Sequence, residues 1–296
     1  MYDTRHVLYD ACITNESKVK KNTSSKYSNG PSARRFLITL LGEFLRNGPH
    51  KVWNSALIEA MKIAGQSEQA SRQAVLRAAS AGWLEKSVEG RRVKWTLTPS
   101  LLTFLVEGWN HVYPVNRASW DGHWLILHVS LPDKHRAARD KLYKSLHWAG
   151  FGNPSPGLWV SPYTENRNEI KRTIRALNLV DVTFCFIGQA IDIGINDQRL
   201  VQKCLDWDAI CLHYEQLLAR FLKLKPRTED EIFVTHLQLL IEWSKLPLID
   251  PRLPNSLLPA NWTGHHSAAE LEHLLVEWRR VAIVRWMEIV AKAEQS

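Results

Sequence analysis

The sequence predicts a multidomain α+β protein with a mainly helical C-terminal part, and three observations predict it. Hydrophobic spacing changes along the chain, from helical repeats with one hairpin, through alternating strands and helices, to helices alone. Length and composition, 296 residues at 45% hydrophobic content, exceed what one core ordinarily organises, so two or three domains are expected. Charge is also partitioned: residues 1–100 hold 16 Lys and Arg against 8 Asp and Glu, whereas residues 101–296 hold 22 against 22. The whole +8 surplus therefore lies in the first third, which calls for a polyanionic partner there.

Residues 1–31 read as a flexible basic leader, because Lys18 to Pro31 is polar and turn-rich with no period. Order is expected from Ser32, an N-cap for a helix over Ala33 to Arg46 with Phe36, Leu37, Leu40, Leu41, Phe44 and Leu45 on one face. A short extended piece, Lys51 to Trp53, precedes a second helix capped by Asn54 or Ser55. Gly65-Gln66-Ser67 breaks the chain tightly before a third helix from Glu68 to about Ala81. Two extended runs, Trp83 to Val88 and Arg92 to Thr98, follow around Glu89-Gly90-Arg91. That order is the winged helix-turn-helix, here spanning 32–115 with a fourth helix from Ser100 to about Tyr113.

The third helix sorts its residues by chemistry. Ala70, Ala74, Val75, Ala78 and Ala79 share one side, and Gln69, Arg72, Gln73, Leu76, Arg77 and Ser80 share the other. Arginine and glutamine are the side chains that contact guanine and adenine edges bidentately, so this face is the expected DNA reader. Arg91, Arg92 and Lys94 on the wing suit phosphates, which add affinity without sequence information.

Residues 120–196 read as strand (124–130), helix (134–149), strand (157–161), helix (165–178) and strand (180–188), with a final strand at 190–195. This suits a ferredoxin-like domain. Residues 197–296 form the helical C-terminal domain, with helices at 198–212, 213–224, 229–245 and 268–293. Between the last two, Leu246 to Trp262 contains four prolines among apolar residues, an ordered non-helical strap on the helical core.

Several classes are excluded. The four cysteines (Cys12, Cys185, Cys204, Cys211) form no C-x-x-C pair, no apolar run is long enough for a membrane span, and the first residues lack a secretory pattern. A reducing cytoplasm is the expected compartment. No metalloprotease, nucleotide-loop or serine-elbow motif occurs, Asp133 stands alone as a nuclease acid, and Asp206 and Asp208 splay apart. The chain is expected to be no enzyme and to need no cofactor or metal.

Several segments in fixed order resemble the PaaX family, the transcriptional repressors of phenylacetate catabolism. They are Ala74 to Leu84, Gly90-Arg91-Arg92, Trp120 to Trp124, Gly150 to Gly157, Ser161-Pro162 and Asp250 to Gly264. The resemblance implies a homodimeric repressor of an aromatic or heteroaromatic catabolic operon. It also implies a palindromic operator, a middle domain similar to a CRISPR spacer-acquisition subunit, and release by a small-molecule inducer such as an aromatic acyl-coenzyme A. Arg72 with Arg77, and Arg91 with Arg92, match the family's arginine pairs. Ser71 and Gln73 depart from its pattern, which points to a different operator. An acyl thioester needs an apolar hole and cations, for which Arg252, Trp262, His265, Arg279 and Arg280 are the candidates. The rival reading is a DNA-tethered adaptor whose later domains bind a protein rather than a metabolite.

Overall fold

The computed structural model describes residues 31–112, 120–131, 136–191, 193–259, 262 and 264–295. The leader up to residue 30, linker residues 113–119 and Asp133 lie outside the described residues. In chain order the elements begin with α1 (Ala33–Phe44), β1 (Lys51–Trp53), α2 (Asn54–Ile63), α3 (Glu68–Ser80), β2 (Leu84–Glu89), β3 (Arg92–Leu97) and α4 (Pro99–Val112). Next come β4 (Trp124–Val129), α5 (Arg136–Trp148), β5 (Gly152–Ser155), β6 (Leu158–Ser161), α6 (Arg167–Ala176) and β7 (Thr183–Gly188). The chain ends with α7 (Asp197–Cys204), α8 (Trp207–Leu222), α9 (Glu229–Trp243) and α10 (Gly264–Gln295). Mixed helix and sheet, with a helical C-terminal part, is the α+β composition that the sequence predicts.

Packing divides the chain into two compact units. One runs to Trp109 and adds Arg220–Lys245 and Glu270–Ser296; the other joins Asn110–Ala219 to Leu246–Ala269. The last hundred residues, expected as one helical region, contribute to both.

In the first unit Ser32 caps α1, its Oγ accepting from the Arg35 amide at 3.4 Å. The expected cap of α2 by Asn54 or Ser55 is not formed. The strand runs straight into the helix with Trp53 at the cap position, and Asn54 Oδ1 instead accepts the Trp95 indole N–H at 3.0 Å. β3 lies between β1 and β2, antiparallel to both. Helix α1 packs on α3 and also on α9, which explains why it buries Phe36, Leu37, Ile38, Leu40, Leu41 and even Glu43. Phe44 completes this core, stacked on Phe233 of α9 at 5.6 Å and on Trp286 of α10 at 5.3 Å. A capping box starts α9: Thr228 Oγ1 accepts the Glu231 amide, and the Glu231 carboxylate accepts the Thr228 amide, each at 3.2 Å.

The second unit holds an antiparallel sheet in the order β5-β6-β4-β7. Alternation along β4 sorts its two faces. Leu125, Leu127 and Val129 join Leu142 and Leu146 of α5 and Ile170 and Ile174 of α6. Trp124 and Ile126 face the other way, with Val201 of α7 and Leu253 and Leu257 of the proline strap. The strap therefore packs on this sheet together with residues of α7 and α8, Tyr214 of α8 bonding Asp250 of the strap at 2.7 Å. It also contains two short 3-10 turns, Leu246–Leu248 and Asn255–Leu257, which tolerate proline because they are too short to need its missing N–H.

Three further expectations are corrected. β5 pairs with β6 where the sequence shows only glycine, asparagine, proline and serine. No strand forms at 190–195 among the described residues. The helix expected over 198–212 breaks at Leu205-Asp206, and α8 then runs unbroken past residue 213. Asp206 Oδ1 accepts the Ala209 amide at 3.0 Å, so this carboxylate starts a helix.

Candidate nucleic-acid interface

The turn between α2 and α3 is fixed by backbone chemistry. Gly65, at φ +76°, donates to Lys62 at 2.8 Å while Gln66 donates to Met61 at 3.0 Å, the paired bonds that close a helix C-terminus. A residue with a Cβ is strained at that φ, so glycine allows α3 to start three residues later, at Glu68. Ser67 then caps α3, accepting the Ala70 amide at 3.2 Å. Ser71 is fully buried, its hydroxyl turned back to the Ser67 carbonyl at 2.9 Å.

Helix α3 buries Ser71, Ala74, Val75 and Ala78. Gln69, Arg72, Gln73, Leu76, Arg77 and Ser80 are all exposed. Arg72 is ion-paired to Glu68 one turn earlier, with both side chains about two-thirds exposed. Such a pair contributes only about 0.3–0.5 kcal/mol in water, so it leaves Arg72 available to a stronger acceptor. Leu76, 53% exposed, adds an apolar surface of the kind that meets a thymine methyl.

The β2–β3 hairpin, expected as the wing, divides the predicted phosphate cations. Its tip is the two-residue turn Gly90-Arg91, closed by the Glu89–Arg92 pair, with φ +64° at Gly90. Arg91 is exposed there. Arg92 and Lys94 are half-buried over the Trp53 ring, at 3.8 and 4.3 Å from its centroid. Arg92 also donates to the Ala293 and Glu294 carbonyls, the latter at 3.2 Å, and so caps the C-terminus of α10. Lys94 lies 3.4 Å from Glu89. Alternation along β3 turns these two side chains inward, and the sequence reading missed Trp53 as their platform.

The residues expected to hold an inducer are divided between the two units. Arg252 and Trp262 with His265 belong to the second unit, and Arg279 and Arg280 to the first. Arg252 is bound into the strap: its amide donates to Asp250 at 2.7 Å and its carbonyl accepts the Tyr163 hydroxyl at 2.6 Å. Tyr214 donates to Asp250 at 2.7 Å and also bonds the Arg252 side chain; burial, with the Asp250 charge, pushes its hydroxyl far up. Arg252 is thus anchored in the strap through its backbone. Trp262 is half-buried edge-on to Trp207, at 5.0 Å, and 6.3 Å from the His265 ring. A cavity under the strap, lined by Trp124, Val160, Cys204 and Leu253 among others, measures only about 10 Å³. That is room for about one water. Burial there lifts the Cys204 thiol to about 12, so it stays protonated.

Arg279 is likewise committed, to Glu43 at 2.7 Å. Glu43 also meets His236 at 3.2 Å, and both side chains are 1% exposed. Burial alone would raise the Glu43 carboxyl, but the His236 hydrogen bond and the charges of His236 and Arg279 outweigh it and hold it below its ordinary value. Sequence offered no signal for this cluster, since its members lie some 190 and 240 residues apart. Arg280 is exposed on α10.

Three family models match in order: the PaaX-like protein model at residues 32–101, the PaaX protein central Cas2-like domain at 117–201, and the PaaX-like protein C-terminal domain at 204–284. The chain belongs to the PaaX family. Membership in PaaX makes it a transcriptional regulator rather than an enzyme. The chain is 29% identical, over 245 residues, to the transcriptional repressor PaaX of Escherichia coli (strain K12), covering 79% of this chain and 76% of that one. A solved structure of an uncharacterized protein from Mycobacterium tuberculosis shares the fold, with a TM-score of 0.56 and 22% identity. It matches 82% of this chain and 95% of its own. No helix among the described residues is long and apolar enough to cross a membrane.

Proposed function

We propose that this PaaX-family chain is a transcriptional repressor that reads operator DNA through a winged helix-turn-helix head, with α3 in the major groove. The observation that carries the reading is the exposed face of α3, where Gln69, Arg72, Gln73, Leu76, Arg77 and Ser80 stand together above a buried alanine face. In this reading Arg91 at the wing tip contacts phosphate, while Arg92 and Lys94 brace the wing from behind. The boundaries taken are 32–115 for the head, 120–196 for the middle domain and 197–296 for the helical regulatory part.

The middle domain reads as ferredoxin-like, because its strand order is that of a split βαβ sheet. It is the dimerisation unit in this proposal. β7 is an edge strand with Phe184, Phe186 and Ile187 roughly half exposed or more, an apolar edge that pairing with a second copy would cover. Two heads on a two-fold site supply the specificity that one short helix cannot. The regulated genes are those of aromatic or heteroaromatic catabolism and the inducer is an aromatic acyl-coenzyme A, both on the strength of the family relation.

The test uses a duplex selected from a random pool by the full-length protein. Gln73→Ala and Arg72→Ala should each cost about 1–3 kcal/mol on the selected duplex and much less on random DNA. Equal losses on both duplexes would remove α3 as the base reader.

A further inference from the structure

The neutral balance of residues 101–296 conceals a local surplus in the second unit. Residues 136–176, which carry α5 and α6, hold 8 Lys and Arg against 3 Asp and Glu, and the acidic remainder cancels this in the average. Both helices pack on the Leu125, Leu127 and Val129 face of the sheet and against each other, so their outer sides form one surface. Arg136, Lys141, Arg167, Lys171, Arg172 and Arg175 are exposed on it, and Asp140 and Glu165 are the exposed carboxylates over the same span. None of these six cations is ion-paired among the described residues.

Spacing on α6 adds to the charge count. Its buried residues are Ile170 and Ile174, while Arg167, Lys171 and Arg175 recur every four residues along one exposed edge, about 6 Å apart along the axis. Like charges at that spacing repel and weaken a helix, where a glutamate four residues before a lysine would support it. A surface that serves solubility alone mixes its signs, and a stripe of one sign is accounted for by an anionic partner. The rest of the surface says which kind of anion. No large hydrophobic residue of 136–176 is exposed, whereas an interface with a protein is built around a centre depleted of charge. Interfaces with nucleic acid are polar, positively charged and made largely to phosphate. Four of the six exposed cations are arginines, whose planar fork matches phosphate oxygens.

We propose that the outer surface of α5 and α6 is a second DNA contact, which holds the phosphate backbone of a duplex whatever its sequence, through Arg167, Lys171 and Arg175 above all. Its part in operator binding rests on the DNA-reading proposal: α3 selects the site, and this surface adds affinity and salt dependence. The phosphate contact itself does not rest on α3, because DNA of any sequence measures it.

Binding isotherms of the full-length protein on a random duplex of about 40 base pairs, between about 50 and 200 mM salt, test the surface. The triple variant Arg167→Gln/Lys171→Gln/Arg175→Gln should lower the slope of log K against log salt by about 2–3, at about 0.9 for each phosphate contact. It should also bind at least tenfold more weakly at about 100 mM salt. Its Tm should be unchanged or slightly raised, because the like-charge pairs are gone. The control Arg199→Gln/Lys203→Gln/Lys223→Gln removes the same charge from exposed positions elsewhere in the chain and should change the slope by less than about 0.5. An unchanged slope in the first variant, the result expected if the surface serves an acidic protein, or an equal loss in the control would overturn the proposal. Should the triple variant lose its fold, Lys171→Gln alone decides, by a slope change of about 0.9 or none. On the duplex selected by the protein, the triple variant should lose the same factor as on random DNA; a loss confined to the selected duplex would overturn a backbone contact. Equal losses of Gln73→Ala on both duplexes would remove α3 as the reader and leave this surface standing.

Discussion

Arg91 and Arg92 are adjacent in sequence and equal in charge, yet the wing gives them different work, and replacing each by alanine separates the two roles. Arg92 lies 3.8 Å over Trp53 and donates to the last carbonyls of α10. A half-buried cation–π contact contributes about 1 kcal/mol, and a cation at a helix C-terminus about 0.3–1 kcal/mol. With some loss of hydrogen bonding, Arg92→Ala should destabilise the first unit by about 2 kcal/mol, or roughly 4–8 °C in Tm. Arg91, exposed at the turn, should cost almost nothing in stability. On DNA the order reverses. Arg91→Ala should reduce the slope of log K against log salt by about 0.9, the signature of one phosphate contact, and Arg92→Ala should leave the slope unchanged. Thermal denaturation and binding isotherms at four or five salt concentrations measure both quantities on the same preparations. An Arg92→Ala protein with wild-type Tm and a reduced salt slope would refute the assignment of Arg92 to the wing's support.

Glu43→Gln leaves His236 and Arg279 without their shared carboxylate and should cost about 3 kcal/mol at neutral pH, read as a lowered denaturation midpoint. Because the folded-state pKa of Glu43 lies below its ordinary 4.5, its contribution is present above that value and is lost as pH falls through the folded pKa. Wild-type stability should therefore decline below about pH 4.5 more steeply than that of Glu43→Gln, and parallel pH profiles would exclude the cluster as a source of acid sensitivity. Phe186→Asp, at a site 59% exposed in the chain, should leave folding intact and turn the proposed dimer into a monomer in light scattering at micromolar concentration. A dimer that survives this substitution would move the pairing surface away from β7.

Much of the head is legible in sequence because its signals are local. Ser32 and Ser67 cap the helices that follow them, Gly65 and Gly90 turn where their φ requires, and a 3.6-residue period sorts α3 into buried and exposed faces. What the sequence does not show depends on contacts between distant segments. Arg92 and Lys94 looked like solvent-facing cations until β3 was seen to turn them onto Trp53, 39 and 41 residues earlier. Arg279 is a candidate ligand cation by sequence, and the pairing with buried Glu43, the penultimate residue of α1, is invisible there. The strand β5 carries none of the β-branched residues that mark strands, and it forms because its neighbour β6 supplies the hydrogen-bonding edge. A proline strap reads as non-helical by composition, yet nothing in its composition says which surface it covers.

The long-range contacts also alter what the head is. A winged helix-turn-helix read from residues 32–115 looks self-sufficient, with three helices and a hairpin around one core. In the first unit, however, α9 and α10 complete that core: Phe44 stacks between Phe233 and Trp286, and Glu43 has its partners on the same two helices. The end of α10 is then capped by Arg92 of the wing. The last helix thus holds both α1, through Arg279, and the wing, through its terminal carbonyls. A displacement of α10 must break one of these attachments or carry α1 and the hairpin along with it. Since α1 packs on α3, the geometry of the proposed reading helix and of the β2–β3 hairpin is linked to residues more than 180 positions downstream. In the proposed reading, that linkage would give a regulatory signal received by the C-terminal helices a route to the exposed face of α3 by packing and ion pairing alone. Its strength is bounded by the few kcal/mol those attachments contribute, and so by a change in operator affinity of no more than about two to three orders of magnitude.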